Sequence, residues 1–175
     1  MNPTHARHGL TALWCLLLAA CAAPSERISD RHVRVENALS RQPVQACRRP
    51  VIGVTDRRPH EQLGQRADGK PVTYPGLRNW TEELLRTSAT EDPALGQLDV
   101  ELVRAYFESH PSGHSFHLVM RARSAASETW RIYRGTRSGI TWWGNDGEYG
   151  GYIESAGAKA VSALIRAEGT CQSAR

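Results

Sequence analysis

The sequence predicts an α+β fold: a two-layer domain with a mainly antiparallel sheet and two amphipathic helices packed on one face. Two observations support this. Several short apolar segments alternate with a period of two, which is typical of strands with one buried face, and two longer segments repeat with the period of a helix. The order of strand, hairpin, helix, three strands and helix favours a two-layer α+β domain.

A strand and a hairpin come first. Residues 51–54 form a compact apolar segment, which indicates an inner strand. Asp68 and Gly69 then separate two short segments within residues 63–74, the composition of a primed hairpin turn. Because Pro71 has no N–H to donate to a ladder, we expect the second hairpin segment at a sheet edge.

Two segments have helical periodicity. The first begins after Pro75 and Gly76, and the second ends at Gly169, a residue that commonly caps a helix. The apolar faces are Leu77, Trp80, Leu84 and Leu85 in the first helix, and Ile153, Gly157, Ala160, Val161 and Leu164 in the second.

Three strands are predicted between the helices. Residues 98–102 alternate with period two, and the pattern slips over residues 103–107, where we expect a β-bulge. A turn over residues 110–114 leads to the next strand. One face of that strand carries Phe116, Leu118, Met120 and Ala122, and the other carries His117, Arg121 and Arg123. In the last strand, Trp130 and Ile132 lie opposite Tyr133 and Gly135.

The N-terminus has the three parts of an export signal. Residues 1–9 are polar and carry Arg7 without an acidic residue. Residues 10–18 are apolar apart from Thr11, and two alanines follow. The apolar run is about half the roughly 20 residues needed to span a bilayer. We therefore expect residues 1–20 to be a signal peptide.

Leu18-Ala19-Ala20-Cys21 is similar to the lipobox of bacterial lipoproteins. In that family the cysteine thiol takes a diacylglycerol, cleavage occurs just before it, and the new amino group is acylated. The resemblance implies that Cys21 is lipidated and anchors the chain, since two or more acyl chains hold a protein stably. Ala22 stands where an inner-membrane retention signal usually has Asp, which implies the periplasmic face of the outer membrane. The alternative is an ordinary secretory signal.

Three regions are predicted after the signal. Residues 21–46 have few large apolar side chains and alternating charges, the composition of a lipid-anchored tether. A short ordered segment around residues 33–35 or 36–39 is the alternative. Residues 47–171 form a single α+β domain, long enough to bury a sizeable core, and residues 172–175 form a C-terminal tail.

The charge of the chain argues against nucleic acid as a partner. Its 22 basic and 18 acidic residues give a net charge of +4 that is spread along the sequence. No run of five or more like charges appears. Attraction to anionic lipid or peptidoglycan stays open, and a solvated, mildly basic surface is the simpler interpretation.

Of the four cysteines, Cys15 leaves with the signal and Cys21 is the lipid site. Cys47 and Cys171 lie near the two ends of the domain, and in an oxidising compartment we expect them to form a disulfide. Closing a loop of more than about a hundred residues would contribute on the order of 4–5 kcal/mol. The alternatives are two thiols or a metal pair, and two ligands alone make a poor zinc site.

Several short segments together resemble the YajG-type lipoproteins of bacteria, a family without an assigned function. They cover residues 51–166 in order and spacing. The resemblance implies this fold and the lipid anchor, and it supplies no catalytic residues. Trp142, Trp143 and the Cys47–Cys171 pair lie outside its pattern. The matching segments are residues 53–57 with Leu63 downstream, 76–78 leading to 83–84, 98–106, 113–123, 133–135 and the alanine-rich last helix.

Residues 139–151 are rich in glycine and aromatic residues, so we expect a loop or an irregular strand end there. The most unusual segment is residues 142–152. Aromatic rings beside acids and amides stack on sugars or anchor protein partners. Alternatives are tryptophans that fill the core, and a calcium loop, although the oxygen donors lack the EF-hand spacing. The candidate binding surface is Trp142, Trp143, Asp146, Glu148, Tyr149 and Tyr152.

The sequence assigns no catalytic residue, cofactor or metal. His114 and His117 are three residues apart in a strand and therefore point to opposite faces, which leaves only His110 with His114. Asp146 with Glu148 is the weak basis for a hydrolase. We therefore expect a non-enzymatic envelope lipoprotein with an accessory or scaffold role and an envelope protein as partner. The alternative is a peptidoglycan- or glycan-binding module using the aromatic loop.

The lipid anchor predicts the outcome of one substitution. Cys21→Ser removes the thiol that accepts the diacylglycerol, so the folded protein should be recovered in the soluble periplasm. Cell fractionation measures this. The control is Cys15→Ser, which changes the signal alone and should leave the protein in the membrane fraction. Recovery of both variants with the membrane would contradict the anchor.

Overall fold

A four-stranded sheet covered by helices on one face is the central feature of the structure. It confirms the predicted two-layer α+β architecture with a mainly antiparallel sheet. The signal peptide at residues 1–20, Cys21 and Cys171 lie outside the described residues, so the expectations for them stay predictions. The computed structural model describes residues 26–41, 47–66, 68–125, 127–140 and 144–169.

Nine strands and three helices occur within these residues. The strands are β1 (Glu26–Arg27), β2 (Cys47–Arg48), β3 (Val51–Asp56), β4 (Gln62–Gln65), β5 (Pro71–Thr73), β6 (Thr90–Glu91), β7 (Leu98–His110), β8 (Gly113–Ser124) and β9 (Arg131–Gly139). The helices are α1 (Val35–Arg41), α2 (Leu77–Thr87) and α3 (Asp146–Glu168), with 3-10 turns at Asp30–His32 and Pro93–Leu95.

The main sheet has the order β3-β7-β8-β9, and two smaller sheets have the orders β1-β5-β4 and β2-β6. β3 runs parallel to β7, while β7, β8 and β9 are antiparallel neighbours. The predicted hairpin is present as β4 and β5. The prediction that its second strand lies at an edge is wrong, because β1 pairs with Val72 and Thr73 on the other side of β5. Pro71 precedes that pairing and so needs no N–H there.

β7 contains the predicted bulge. Its register against β8 shifts between Leu102 and Arg104. Up to Leu102 the even-numbered residues are buried, and beyond the bulge the odd-numbered Ala105 and Phe107 are buried. The extra residue therefore turns Arg104 and Tyr106 to the face of the sheet that the helices leave open.

The two predicted helical faces are buried against the other face. Leu77, Trp80, Leu84 and Leu85 of α2 are all buried. Two glycines bring α3 close to its neighbours: a Cβ at Gly135 of β9 would overlap the backbone of Ala156, and one at Gly157 would overlap the Trp80 indole. The core is completed by the residues of β8 assigned to the inner face, Phe116, Leu118, Met120 and Ala122, which are fully buried.

β9 is an outer strand of the main sheet. Lys159 of α3 reaches over it, and its Nζ donates a hydrogen bond to the carbonyl oxygen of Thr136 at 2.8 Å. The side chains of Arg131, Arg134 and Arg137 are exposed along the same strand.

The prediction that residues 21–46 form a tether is wrong for residues 26–41. This segment forms β1, a 3-10 turn and α1, and it packs on the domain. The alternative of a short ordered segment is the one that the structure supports. Composition concealed this because the segment contributes only a few apolar side chains to the core, namely Ile28, Val33, Val35 and Ala38.

A buried carboxylate on α3 holds this N-terminal segment in place. The side chain of Glu154 is 1% exposed. Its Oε1 accepts hydrogen bonds from the Arg34 backbone N–H at 2.8 Å and from Asn37 Nδ2 at 2.9 Å. Its Oε2 lies 3.4 Å from Arg41 Nη2. A carboxylate away from water needs such partners, because removing them leaves its charge uncompensated.

The C-terminal end of α3 lies beside β2. The helix ends at Gly169, whose N–H donates to the Ile165 carbonyl at 2.7 Å, as the sequence predicted. A Cβ at Gly169 would overlap the carbonyl oxygen of Cys47. Cys47 is disulfide-bonded. Its pairing with Cys171 stays a prediction, and the contact at Gly169, two residues before Cys171, is in keeping with it.

Replacing the buried carboxylate should release the N-terminal segment. Glu154→Ala leaves the donors of Arg34 and Asn37 without an acceptor, so we expect the free energy of unfolding to fall by about 3 kcal/mol. Urea denaturation measures this, and hydrogen exchange should show residues 26–41 losing protection first. Glu36→Ala, on the exposed side of α1, is the control and should stay within about 0.5 kcal/mol of the wild type. Equal stability of the two variants would contradict this role of Glu154.

Candidate functional site

Asp146 and Glu148 begin a helix, which corrects the prediction of a loop there. Asn145 caps α3, because its Oδ1 accepts from the Glu148 N–H at 3.0 Å, and Glu148 Oε2 accepts from the Gly144 N–H at 2.6 Å. Asp146 lies 3.6 Å from both His32 Nδ1 and Arg66 Nη1. Both acids therefore have partners that stabilise the fold.

The two tyrosines predicted to bind a ligand lie in the core. Tyr149 is 1% exposed and Tyr152 is 8% exposed, and both rings pack edge-on against Phe107. Their assignment to a binding surface is wrong. Trp142 and Trp143 lie outside the described residues. Of the glycines that indicated a loop, Gly147, Gly150 and Gly151 are helical, and Gly144 precedes the helix with a φ of 58°. Gly150 is needed because a Cβ there would overlap the His32 carbonyl oxygen.

The three histidines all lie within hydrogen-bond distance of hydroxyl groups, His110 and His114 near the β7–β8 turn and His117 within β8 beside Thr136. His110 Nε2 lies 2.9 Å from Ser115 Oγ, and His114 Nδ1 lies 3.1 Å from Ser109 Oγ. Ser115 is only 4% exposed and also contacts Ser138 Oγ at 2.7 Å, so it is not placed as a nucleophile. Within the described ranges, no group of three or more His, Cys, Asp or Glu side chains could hold a metal ion.

The strongest candidate site is the open face of the main sheet. Side chains of all four strands stand on it in rows set by the register, since directly opposed residues share a face. One row is Gly53, Asp99 and Arg123, and the next is Thr55, Glu101, Arg121 and Ile132. Beyond the bulge follow Arg104, Val119 and Arg134, and then Tyr106, His117 and Thr136.

The half of this face nearest the start of β7 is a patch of apolar and arginine side chains. We call Ile52, Arg121, Arg123, Trp130 and Ile132 the Trp130 patch. The guanidinium carbons of Arg121 and Arg123 lie 4.6 and 4.7 Å from the centroid of the Trp130 ring, which is cation–π contact. Ile52 and Ile132 are each 59% exposed.

Acidic residues neutralise the arginines of the Trp130 patch. Arg121 Nη2 lies 2.6 Å from Glu101 Oε2, and Arg123 Nε lies 3.1 Å from Asp99 Oδ2. Arg57 adds a second cation 3.6 Å from Glu101. These pairs hold the guanidinium groups over the indole ring.

The other half of the face is a cleft of about 580 Å³, which is within the size range of ligand sites. We call Arg104, Tyr106, His117, Arg134 and Thr136 the Arg104 cleft. The rings of Tyr106 and His117 stack, with centroids 4.8 Å apart and an interplanar angle of 15°. His117 Nδ1 lies 3.1 Å from Thr136 Oγ1, and its Nε2 lies 3.2 Å from Glu108 Oε2.

Two tyrosines with raised pKa values lie away from this face, and the reasons for the shifts are structural. Burial, and then the hydrogen bond and charge of Glu168, raise the pKa of Tyr133. Burial, and then the carboxylate of Asp30, raise the pKa of Tyr74, which lines a cavity of about 320 Å³ between the N-terminal segment and α2. Both tyrosines therefore stay protonated and act as hydrogen-bonding core residues.

Comparisons with known proteins identify no relative from which a function could be taken. No protein-family model and no curated protein match the sequence. Among solved structures, the chain is similar to the hypothetical protein CT253 from Chlamydia trachomatis, with 9% identity and a TM-score of 0.40. The match covers 71% of this chain and 96% of that one, and a similarity of this degree carries no argument. The resemblance to YajG-type lipoproteins stays a prediction.

No helix in the part of the chain that the structure describes is both long and apolar enough to cross a membrane.

Sequence reasoning missed the open face as a site. The alternation of β8 does separate His117, Arg121 and Arg123 from the core. The alternation of the last strand puts Trp130 and Ile132 on one face. The missing step was the register across three strands, which sets Arg104 beside Val119 and Arg134. The slip in the β7 pattern was the available signal, because it indicated that Arg104 and Tyr106 change faces.

The capping role of the first turn of α3 can be tested. Asn145→Ala removes the side chain that accepts from the Glu148 N–H, so the free energy of unfolding should fall by about 1 kcal/mol. Chemical denaturation measures it. Glu128→Ala, in an exposed loop, is the control and should be nearly neutral. An Asn145→Ala variant as stable as the control would speak against a structural role for this segment.

Proposed function

We propose that this protein is a non-enzymatic lipoprotein, anchored at Cys21 to the periplasmic face of the outer membrane, that binds another envelope protein through the Trp130 patch. The observation that supports this is the composition of the patch. Tryptophan and arginine are the residues that most often dominate binding energy in protein interfaces, and large apolar side chains surround them here. Helices cover the other face of the sheet, so the open face is the side available to a partner.

Preorganisation favours the patch as an interface. The ion pairs of Arg121 and Arg123 hold both side chains in place beside Trp130 before any partner arrives. Less side-chain freedom is then lost on binding, which improves affinity without additional contact area. The guanidinium groups also lie over the indole ring, and a sugar would need the surface of that ring for stacking. The patch therefore favours a protein over a glycan.

The anchor would hold the domain close to the membrane. Glu26, in β1, lies five residues after Cys21. An extended chain of that length spans at most about 18 Å. A partner bound by the domain would therefore lie at or near the membrane surface, which suits an accessory or scaffold role in an outer-membrane assembly.

Site-specific photocrosslinking in cells tests the proposal. A photoreactive amino acid at position 132, inside the patch, should give a discrete adduct with one envelope protein. The same amino acid at position 86 on α2, where the native arginine side chain is 58% exposed, is the matched control and should not. Trp130→Ala should reduce the adduct at position 132 by at least about tenfold, since truncating a central aromatic residue commonly weakens binding by this much or more.

Two further observations decide against the proposal. Equal adducts at positions 132 and 86 would mean that the patch has no special affinity. Adducts with glycan strands in place of a protein would favour the alternative of a peptidoglycan-binding module. Cys21→Ser provides the membrane control, because loss of the adduct in that variant would tie the interaction to the anchor.

A further inference from the structure

The arginines on the open face divide into two kinds. Arg121 and Arg123 each have a carboxylate within hydrogen-bond distance. Arg104 and Arg134 are exposed, and among the described residues neither has a carboxylate within ion-pair distance. The same sheet face thus carries one neutralised pair of guanidinium groups and one pair whose charge is uncompensated.

The register places the uncompensated pair in one row. Arg104 and Arg134 both lie directly opposite Val119, one on β7 and the other on β9. Two strand spacings separate their Cα atoms by about 10 Å. Arginine side chains are long enough to converge on one group above Val119. The bulge after Leu102 creates this arrangement, since without it Arg104 would point to the helices.

The next row supplies an aromatic wall and further hydrogen-bonding groups. Tyr106 is 38% exposed and is supported from behind by its stack with His117. Thr136 presents a hydroxyl in the same row. On the opposite side of the arginine row stands the exposed side chain of Ile132. The cleft therefore combines cationic donors with apolar walls.

We propose that the Arg104 cleft binds a phosphate ester, with the phosphate group held between Arg104 and Arg134 and the attached body lying against Tyr106. A carboxylate has two oxygens, which one guanidinium group satisfies as a bidentate pair. A phosphate monoester has three terminal oxygens, which are enough for two guanidinium groups and a hydroxyl. The two arginines and Thr136 match this larger acceptor.

This site adjoins the Trp130 patch, with which it shares the side chain of Ile132, and has arginines of its own. It goes beyond the protein interaction proposed above. A phosphate monoester could reach the cleft either as a soluble compound or as a lipid headgroup, as in phosphatidic acid. The chemistry of recognition is the same for both, so experiments have to separate the two sources.

Calorimetric titration of the full-length mature protein in a non-ionic detergent, with phenyl phosphate as the probe, tests the site. We expect saturable binding that is at least about tenfold tighter than that of benzoate. Arg104→Gln and Arg134→Gln should each weaken it about tenfold or more, because each removes charge-assisted hydrogen bonds. Arg104→Lys should also weaken it, since lysine keeps the charge and loses the bidentate geometry.

Arg137→Gln is the matched control. It removes an exposed arginine from the same strand, and its opposite residue Phe116 places it on the helix-covered face. Its affinity for phenyl phosphate should equal that of the wild type. Thermal denaturation should show that all four variants fold. Equal weakening in Arg137→Gln and Arg104→Gln, or the absence of saturable binding, would overturn the proposal, and neither result would alter the crosslinking at position 132.

Vesicles distinguish the two sources. The full-length Cys21→Ser protein should sediment with vesicles that contain phosphatidic acid, and the Arg104→Gln/Arg134→Gln combination should not, if the ligand is a lipid headgroup. If the ligand is a soluble ester, phenyl phosphate should bind with the same affinity whether or not vesicles are present. Either result supports a phosphate site and assigns its source. Vesicle binding that is identical in the double variant, together with no binding of phenyl phosphate, would contradict it.

Discussion

The extra residue in β7 determines which side chains enter the core and which stand on the open face of the main sheet. A strand alternates its side chains strictly, so an insertion exchanges the two faces from that point on. Here the exchange sends Phe107 into the core, where it meets Phe116, Tyr149 and Tyr152. The same exchange places Tyr106 on the open face. Core packing at one end of the sheet and the chemistry of the outer face therefore have a single cause.

Local patterns predicted the parts of the fold whose partners are near in sequence. The alternation in β8 and the apolar stripe of α2 each identify a buried face without knowledge of the rest of the chain. The N-terminal segment could not be predicted in this way, because Glu154 binds Arg34 across 120 positions. The sequence also did not predict the start of α3, because glycines favour loops. One of them, Gly150, is required by the close approach of the His32 backbone, which lies far away in sequence. The Arg104 cleft could not be predicted either, because its side chains come together only through the register of three strands.

The arginines on the open face have two different environments. Where carboxylates lie beside it, the charge of the guanidinium group is compensated and the side chain is held next to an indole. Where carboxylates are absent among the described residues, its charge is available to a ligand. The two halves lie on adjacent rows of one sheet, so a protein bound at the Trp130 patch and an anion bound in the Arg104 cleft would be neighbours.

The edge of the sheet at β9 limits how copies of the chain can associate. An exposed strand edge offers unpaired backbone groups to any other strand, which is a common route to aggregation. Here Lys159 already occupies the carbonyl oxygen of Thr136. Arg134 and Arg137, two exposed arginines on the strand, would repel the same edge of a second molecule, and Arg131 is paired with Glu168. The β9 edge therefore opposes lateral growth of the sheet into fibrils. This would matter most if the protein were concentrated on a membrane surface by the proposed anchor.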